Sequence, residues 1–223
     1  MSDKANLTNA ELELTQRIQM HFPRGIIYSD VLKRFNGCST ETITKLCVEA
    51  FSKFPEMIPE PLLEFLGIVT LTAITEKFVV REKFMLDVSK KAHVKISYLG
   101  DNFTEWFLGK TEEPFGGSTL RYGALRKPSV DNPIIIELGG EVRAETSLAE
   151  MFAIMEVQPD GKAGVLLANG YANIFYIRDI NGVLRAVHCY WVDGGWDVIA
   201  CSVEDPIAWL AGVHVFSRNP SVS

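Results

Sequence analysis

The sequence predicts an α+β protein: a helical N-terminal module over residues 1–58, then a mainly antiparallel, β-rich body over residues 62–223 with one packed helix. Three observations predict it. Apolar residues recur at helical spacing from Leu7 to Phe54. Beyond Ile58-Pro59-Glu60-Pro61, where two closely spaced prolines favour an extended link, β-branched runs take over. Finally, Ala172 to Val203 has the strand and turn pattern of a three-stranded antiparallel meander.

The first helix opens at Thr8 as N-cap, with Glu11 completing a capping box and Leu7 and Leu12 spaced as a hydrophobic staple. Leu14, Ile18 and Phe22 continue its apolar stripe, and Pro23-Arg24-Gly25 ends it. A second helix spans about Ser29 to Phe35. A third starts at Ser39 or Thr40 and runs to Phe54, burying Ile43, Leu46, Cys47, Ala50 and Phe51. Three short helices are compatible with a DNA-binding helix-turn-helix, but seven Lys/Arg stand against eight Asp/Glu between Met1 and Glu60. That balance lacks the basic recognition face such a module needs and favours a small helical interaction module.

In the body, Ile68–Ile74, Phe78–Val80, Phe84–Val88 and Val94–Leu99 read as strands. Alternation in the last puts Val94, Ile96 and Tyr98 on one face and Lys95 and Ser97 on the other. From Gly100 to Asp131, Pro114, Gly116, Gly117 and Pro128 break any regular element. Pro133–Leu138 is a short apolar strand closed by Gly139 and Gly140. Ser147 caps the packed helix in a second capping box with Glu150, and Leu148, Met151, Phe152 and Met155 form its buried stripe. In the meander, Asn181-Gly182 as a two-residue turn pairs Arg178 with Arg185 and puts Phe175, Ile177, Leu184, Ala186 and His188 on the core face. The second turn allows two registers. Asp193-Gly194 as the loop sets His188 opposite Ile199, and Gly194-Gly195 sets it opposite Cys201. A helical segment over Pro206–Leu210 and a strand over Val213–Phe216, closing or edging the sheet, complete the chain.

Composition bounds the function. Hydrophobic residues make up 47% and charged residues 22%, which excludes disorder or coiled coil for most of the chain. The net charge of −6 gives no general attraction to nucleic acid or anionic lipid. The start reads as no signal peptide, and the longest uncharged stretch, Ala163–Ile177, is too short and too broken by glycine and asparagine to span a membrane. Cys38, Cys47, Cys189 and Cys201 form no CxxC pair and have no histidine at zinc-ligand spacing, so free thiols, no metal and a cytoplasmic setting are expected. No Walker or Rossmann glycine pattern follows Gly139-Gly140, and no cofactor is expected.

Two groups of residues could carry function. Trp191 and Trp196, with Asp193 and Asp197 around the same turn, form a candidate ligand-binding patch, although turns favour Asp and cross-strand tryptophans stabilise hairpins on their own account. His188 and Cys201 form a base–thiol pair in one register only. The leading expectation is a non-enzymatic binding or assembly module acting on a protein or small-molecule partner, with homo-oligomerisation allowed. The alternative is a small hydrolase using the Asp193/Asp197 turn or His188 with Cys201.

Residues 94–103 (Val-Lys-Ile-Ser-Tyr-Leu-Gly-Asp-Asn-Phe) with Trp106-Phe107-Leu108 resemble a block shared by a group of uncharacterised bacterial proteins. Residues 169–176 and 215–219 resemble further blocks of that group. The resemblance spans about residues 60 to 219, leaves out the helical N-terminus, implies a shared fold and carries over no catalytic residue.

Overall fold

The computed structural model describes residues 60–219, which form one unit from Pro61 onward. The three helices expected before residue 58, and the helical module they were expected to make up, lie outside the described residues, as do Cys38 and Cys47.

An eight-stranded sheet organises the body. Its strands are β1 (Leu63–Leu71), β3 (Ile96–Leu99), β5 (Ser118–Leu125), β6 (Glu145–Thr146), β7 (Asn173–Arg178), β8 (Leu184–Val192), β9 (Gly195–Ser202) and β10 (His214–Arg218). They lie in the order β1-β5-β10-β7-β8-β9-β3, with β6 also paired to β7. A separate two-stranded ribbon joins β2 (Phe78–Val79) to β4 (Thr111–Glu112). The helices are α1 (Val80–Lys83), α2 (Asp101–Phe107), α3 (Asp131–Leu138), α4 (Glu141–Ala144) and α5 (Leu148–Val157).

This architecture corrects the predicted one. The sheet is mixed, not mainly antiparallel: β10 and β6 run parallel to β7, and β3 runs parallel to β9. Several helices accompany it where one was expected. The parallel pairs join strands far apart in sequence, so no local pattern announces them.

The central strands are covered on both faces. Phe175, Ile177, Val187, Cys189, Trp196, Val198 and Ala200 pack with the α5 residues Leu148, Met151, Phe152 and Met155 and with Phe84, Phe103 and Phe107. Ile174, Tyr176, Leu184 and Ala186 pack on the other side with Ile134, Ile135 and Leu138 of α3 and with Val213 and Val215. Burial on both faces explains why β7 reads as a continuous apolar run rather than an alternating one.

The capping box of α5 forms as expected. The Ser147 side chain accepts from the Glu150 N–H, the Glu150 carboxylate accepts from the Ser147 N–H at 2.8 Å, and the predicted apolar stripe is buried. A second carboxylate completes this terminus: Glu112 accepts from the N–H groups of Leu148 (3.1 Å) and Ala149 (2.8 Å), two donors that the helix itself leaves unpaired.

Five local expectations fail. Pro133–Leu138 is part of helix α3, because Pro133 falls in the first turn, where no N–H is needed, and Ile134, Ile135 and Leu138 pack a helical face. Ser118–Leu125 is a strand joined to both β1 and β10, inside a stretch expected to be irregular. Phe84–Val88 forms no strand, and Pro206–Leu210 forms no helix. In β3 a register shift between Ile96 and Tyr98 breaks the alternation, burying Ile96 and exposing Tyr98.

The first hairpin turns over three residues, not two. Asp179 donates its N–H to the Val183 carbonyl at 2.9 Å, and Gly182 at φ 78° supplies the left-handed residue that a three-residue loop ends on. Ile174 therefore pairs with His188, Tyr176 with Ala186 and Ile177 with Arg185. A one-residue slip changes every face assignment between the two strands. His188, Ala186 and Leu184 share their side with Ile174 and Tyr176, and Phe175 and Ile177 belong to the opposite core. The predicted Arg178–Arg185 opposition disappears: Arg178 pairs with Glu141 and Glu145, and Arg185 pairs with Asp179 over the Trp106 ring.

Candidate functional site

The second hairpin decides where the candidate residues go. Asp193 (φ 50°) and Gly194 (φ 87°) form the two-residue turn. Trp191 thus faces Trp196, His188 faces Ile199 and Ala186 faces Cys201. Trp191 and Trp196 meet edge to face at 5.2 Å on the α5 side of the sheet. Trp196 is wholly buried, donating its indole N–H to the Gln158 carbonyl at 3.2 Å. Trp191 is half-buried against Gly161. Asp197 pairs with Tyr190, so its side chain leaves the strand on the opposite face from both tryptophans, and it accepts from the Ser97 hydroxyl at 2.7 Å. Asp193 stands exposed at the turn. The structure therefore brings the two tryptophans together and sets the two aspartates apart from them.

A different constellation converges beside α3. Two adjoining cavities, of about 380 and 150 Å³, share His188, Ala208 and Trp209 in their walls. Tyr171, Tyr190 and Leu210 line the larger, and Asp131, Cys201 and Asp205 line the smaller. His188 and Cys201 are diagonal neighbours across β8 and β9, so both reach this face without being register partners.

Each wall is anchored. Trp209 is fixed by a backbone bridge to Ser129, with its N–H donating at 2.8 Å, and by its indole N–H donating to Asp131 Oδ1 at 2.8 Å. The same Asp131 oxygen accepts from the Tyr176 hydroxyl at 2.8 Å. Gly212 and Val213 are tied to Leu125, fixing the far end of the segment that carries Trp209. The Tyr171 loop is held by buried Asn173, which accepts from the Leu167 N–H at 2.7 Å and donates to its carbonyl at 3.0 Å. His188 stacks near Tyr190 (6.0 Å, 17°) and meets Trp209 edge to face (4.9 Å, 74°).

Burial sets the electrostatics. It lowers the His188 pKa from 6.5 to about 4, so the imidazole is neutral at physiological pH. It raises the Cys201 thiol pKa, reinforced by the Asp205 and Asp131 carboxylates. It also raises Asp131, against the opposing hydrogen bonds from Trp209 and Tyr176. His188 Nδ1 is buried without a hydrogen-bond partner among the described residues.

Elsewhere, Cys189 and Cys201 are free thiols, and Cys189 is held protonated by burial. His93 bonds Glu156 at 2.6 Å, and His214 Nδ1 donates to the Val165 carbonyl at 3.0 Å. No group of three or more His, Cys, Asp or Glu among the described residues is placed to hold a metal ion, and none of their helices is long and apolar enough to cross a membrane. Comparison with protein-family models, with curated proteins and with solved structures finds no match.

Trp209, Tyr171 and Asp131 escaped the sequence reading. Trp209 sits in an irregular segment with no period, and Asp131 in a run read as breaker and strand. The one available signal was a large aromatic flanked by Pro206 and Gly212, an arrangement that loops and turns share widely.

Proposed function

We propose that residues 61–219 form a non-enzymatic binding module whose ligand site is the aromatic cavity around His188 and Trp209. The carrying observation is the pair of adjoining cavities with common walls, about 380 and 150 Å³, lined by Tyr171, Tyr190, Trp209 and a neutral histidine. Apolar concavity with a few converging polar groups is the usual form of a small-molecule site.

The chemistry of the walls favours binding over the hydrolase alternative. A thiol nucleophile needs a depressed pKa or a competent base. Burial and two carboxylates raise Cys201, and the neighbouring imidazole is a weakened base. The Asp193/Asp197 alternative has one carboxylate at an exposed turn and the other engaged with Ser97. A fragment screen by NMR on the full chain tests the reading. Hits should perturb the Trp209 indole signal and be lost in Ala208→Trp, which fills the shared wall. Hits that map elsewhere, or that survive Ala208→Trp, would refute it.

One observation favours assembly as a second reading. β1 ends the strand order and exposes Phe65, Leu66 and Ile68, a row suited to pairing with a second copy of this chain. Native mass spectrometry should then show a dimer that Phe65→Lys dissociates. A monomer in the unmodified chain would remove this reading.

A further inference from the structure

We propose that the His188–Trp209 cavity selects an uncharged planar ring bearing a hydrogen-bond acceptor and rejects anions. This rests on the cavity being a ligand site and names the chemistry it takes.

The argument begins with a proton. His188 is 7% exposed, and its Nδ1 is sealed with no partner among the described residues. A sealed nitrogen is held at lower cost as a lone pair than as an unpaired N–H, the rarer orphan in folded proteins. The single proton of the neutral ring therefore sits on Nε2. Nε2 is not among the sealed, unpartnered atoms and has no hydrogen-bond partner among the described residues, and since the ring forms a wall of both cavities we take this remaining nitrogen to face them. The indole N–H of Trp209 and the hydroxyl of Tyr176 are already committed to Asp131. The His188 Nε2–H is thus an uncommitted donor, and it calls for an acceptor on the ligand.

Charge and shape complete the selection. Among the described residues the carboxylates lining the two cavities are Asp131 and Asp205, and no Lys or Arg lines either, so an anion finds no opposite charge there. The same carboxylates would attract a cationic ammonium at the smaller cavity, but the larger one, where the ring is to sit, offers it no carboxylate among its described lining residues and presents the Nε2–H dipole instead. Rings at the walls, with Tyr190 near-parallel to His188 and Trp209 edge-on, favour a flat aromatic guest.

Four single-ring probes of matched size test this on the full chain: acetophenone, α-methylstyrene (the same shape with C=CH2 replacing C=O), benzoate and benzylammonium. Titrations follow the Trp209 indole N–H by NMR, assigned with Trp209→Phe. Acetophenone should bind with Kd on the order of 1 mM, as a ligand of this size permits. α-Methylstyrene should bind roughly 3- to 10-fold more weakly, the value of one hydrogen bond. Benzoate should not bind, and benzylammonium should bind more weakly than acetophenone. His188→Leu should equalise acetophenone and α-methylstyrene, and His188→Gln, which restores an N–H donor, should recover a preference. Equal binding of the two neutral probes to the unmodified chain overturns the acceptor rule. Benzoate or benzylammonium binding as tightly as acetophenone overturns the charge rule, and in either case the cavity remains a ligand site. If no probe moves the Trp209 signal, the cavity reading falls and this inference falls with it.

Discussion

Acidification should destabilise this body through His188. In the unfolded chain the imidazole takes a proton as pH falls through 6.5, whereas in the fold burial delays protonation to about 4. Above the higher value neither state is protonated and stability is unaffected. Between the two the unfolded state binds more protons, so stability falls with falling pH, and below about 4 the loss is complete. The gap from 6.5 to about 4 corresponds to a loss of about 3 kcal/mol, a large share of a domain's ordinary stability. Urea unfolding followed by tryptophan fluorescence measures it, because Trp106, Trp191, Trp196 and Trp209 are all the tryptophans of the chain and all lie in the described body. His188→Leu isolates the contribution. Burial also lowers His214, but that shift is common to both proteins and cancels in the comparison. The unmodified chain should lose about 3 kcal/mol more than His188→Leu between about pH 7 and pH 4. Parallel profiles for the two would refute the claim that this imidazole is buried and neutral.

Three further outcomes follow from named contacts. Trp209→Phe removes one of the two donors to buried Asp131 and should cost about 1–3 kcal/mol, read as a lower urea midpoint; an unchanged midpoint would mean the bond contributes nothing. Ser147→Ala removes the α5 cap and should cost about 1 kcal/mol in the same assay, while Ser147→Asp should retain most of the stability. Gly161→Ala would put a Cβ 2.2 Å from the Trp191 ring at a residue with φ 65°, so it should shift the Trp191 environment and destabilise by more than about 1 kcal/mol, against near-neutral behaviour at an open turn.

What the sequence made legible was local. The Ser147 capping box and its apolar stripe are side-chain chemistry within one turn of helix, and they form as read. Asp193-Gly194-Gly195 likewise marks the second turn locally, but it leaves two registers open, and the structure takes the one with Asp193-Gly194 as the loop. Failure came where distant partners decide. The triple isoleucine Ile134–Ile136 has a strand's intrinsic preference, but α3 places Ile134 and Ile135 against the sheet and leaves Ile136 exposed, and packing overrides propensity. β10 was expected to close or edge the sheet, yet it lies between β5 and β7, parallel to the latter. Glu112 and Glu137 accept backbone N–H groups from the α5 terminus and from Leu62 and Leu63. A carboxylate's distant partner leaves no trace in its neighbours.

The site illustrates the same division. His188 belongs to β8's side with Ala186 and Leu184 whatever the register, since alternation along a strand is local. Its surroundings depend on how the two hairpins close. The three-residue first turn puts Ile174 and Tyr176 on its side, and Tyr176 reaches Asp131, which in turn holds the Trp209 indole. The two-residue second turn puts Ile199 opposite His188 and Cys201 on the diagonal, near enough to share a wall but not a register position. Along this face α3 covers the central strands, while toward β9 the cover passes to the irregular segment carrying Trp209, which is fixed at Ser129 and Leu125. An irregular segment anchored by such single bridges leaves concave space that a packed helix would fill, and the cavity opens where this change of cover falls beside a buried histidine.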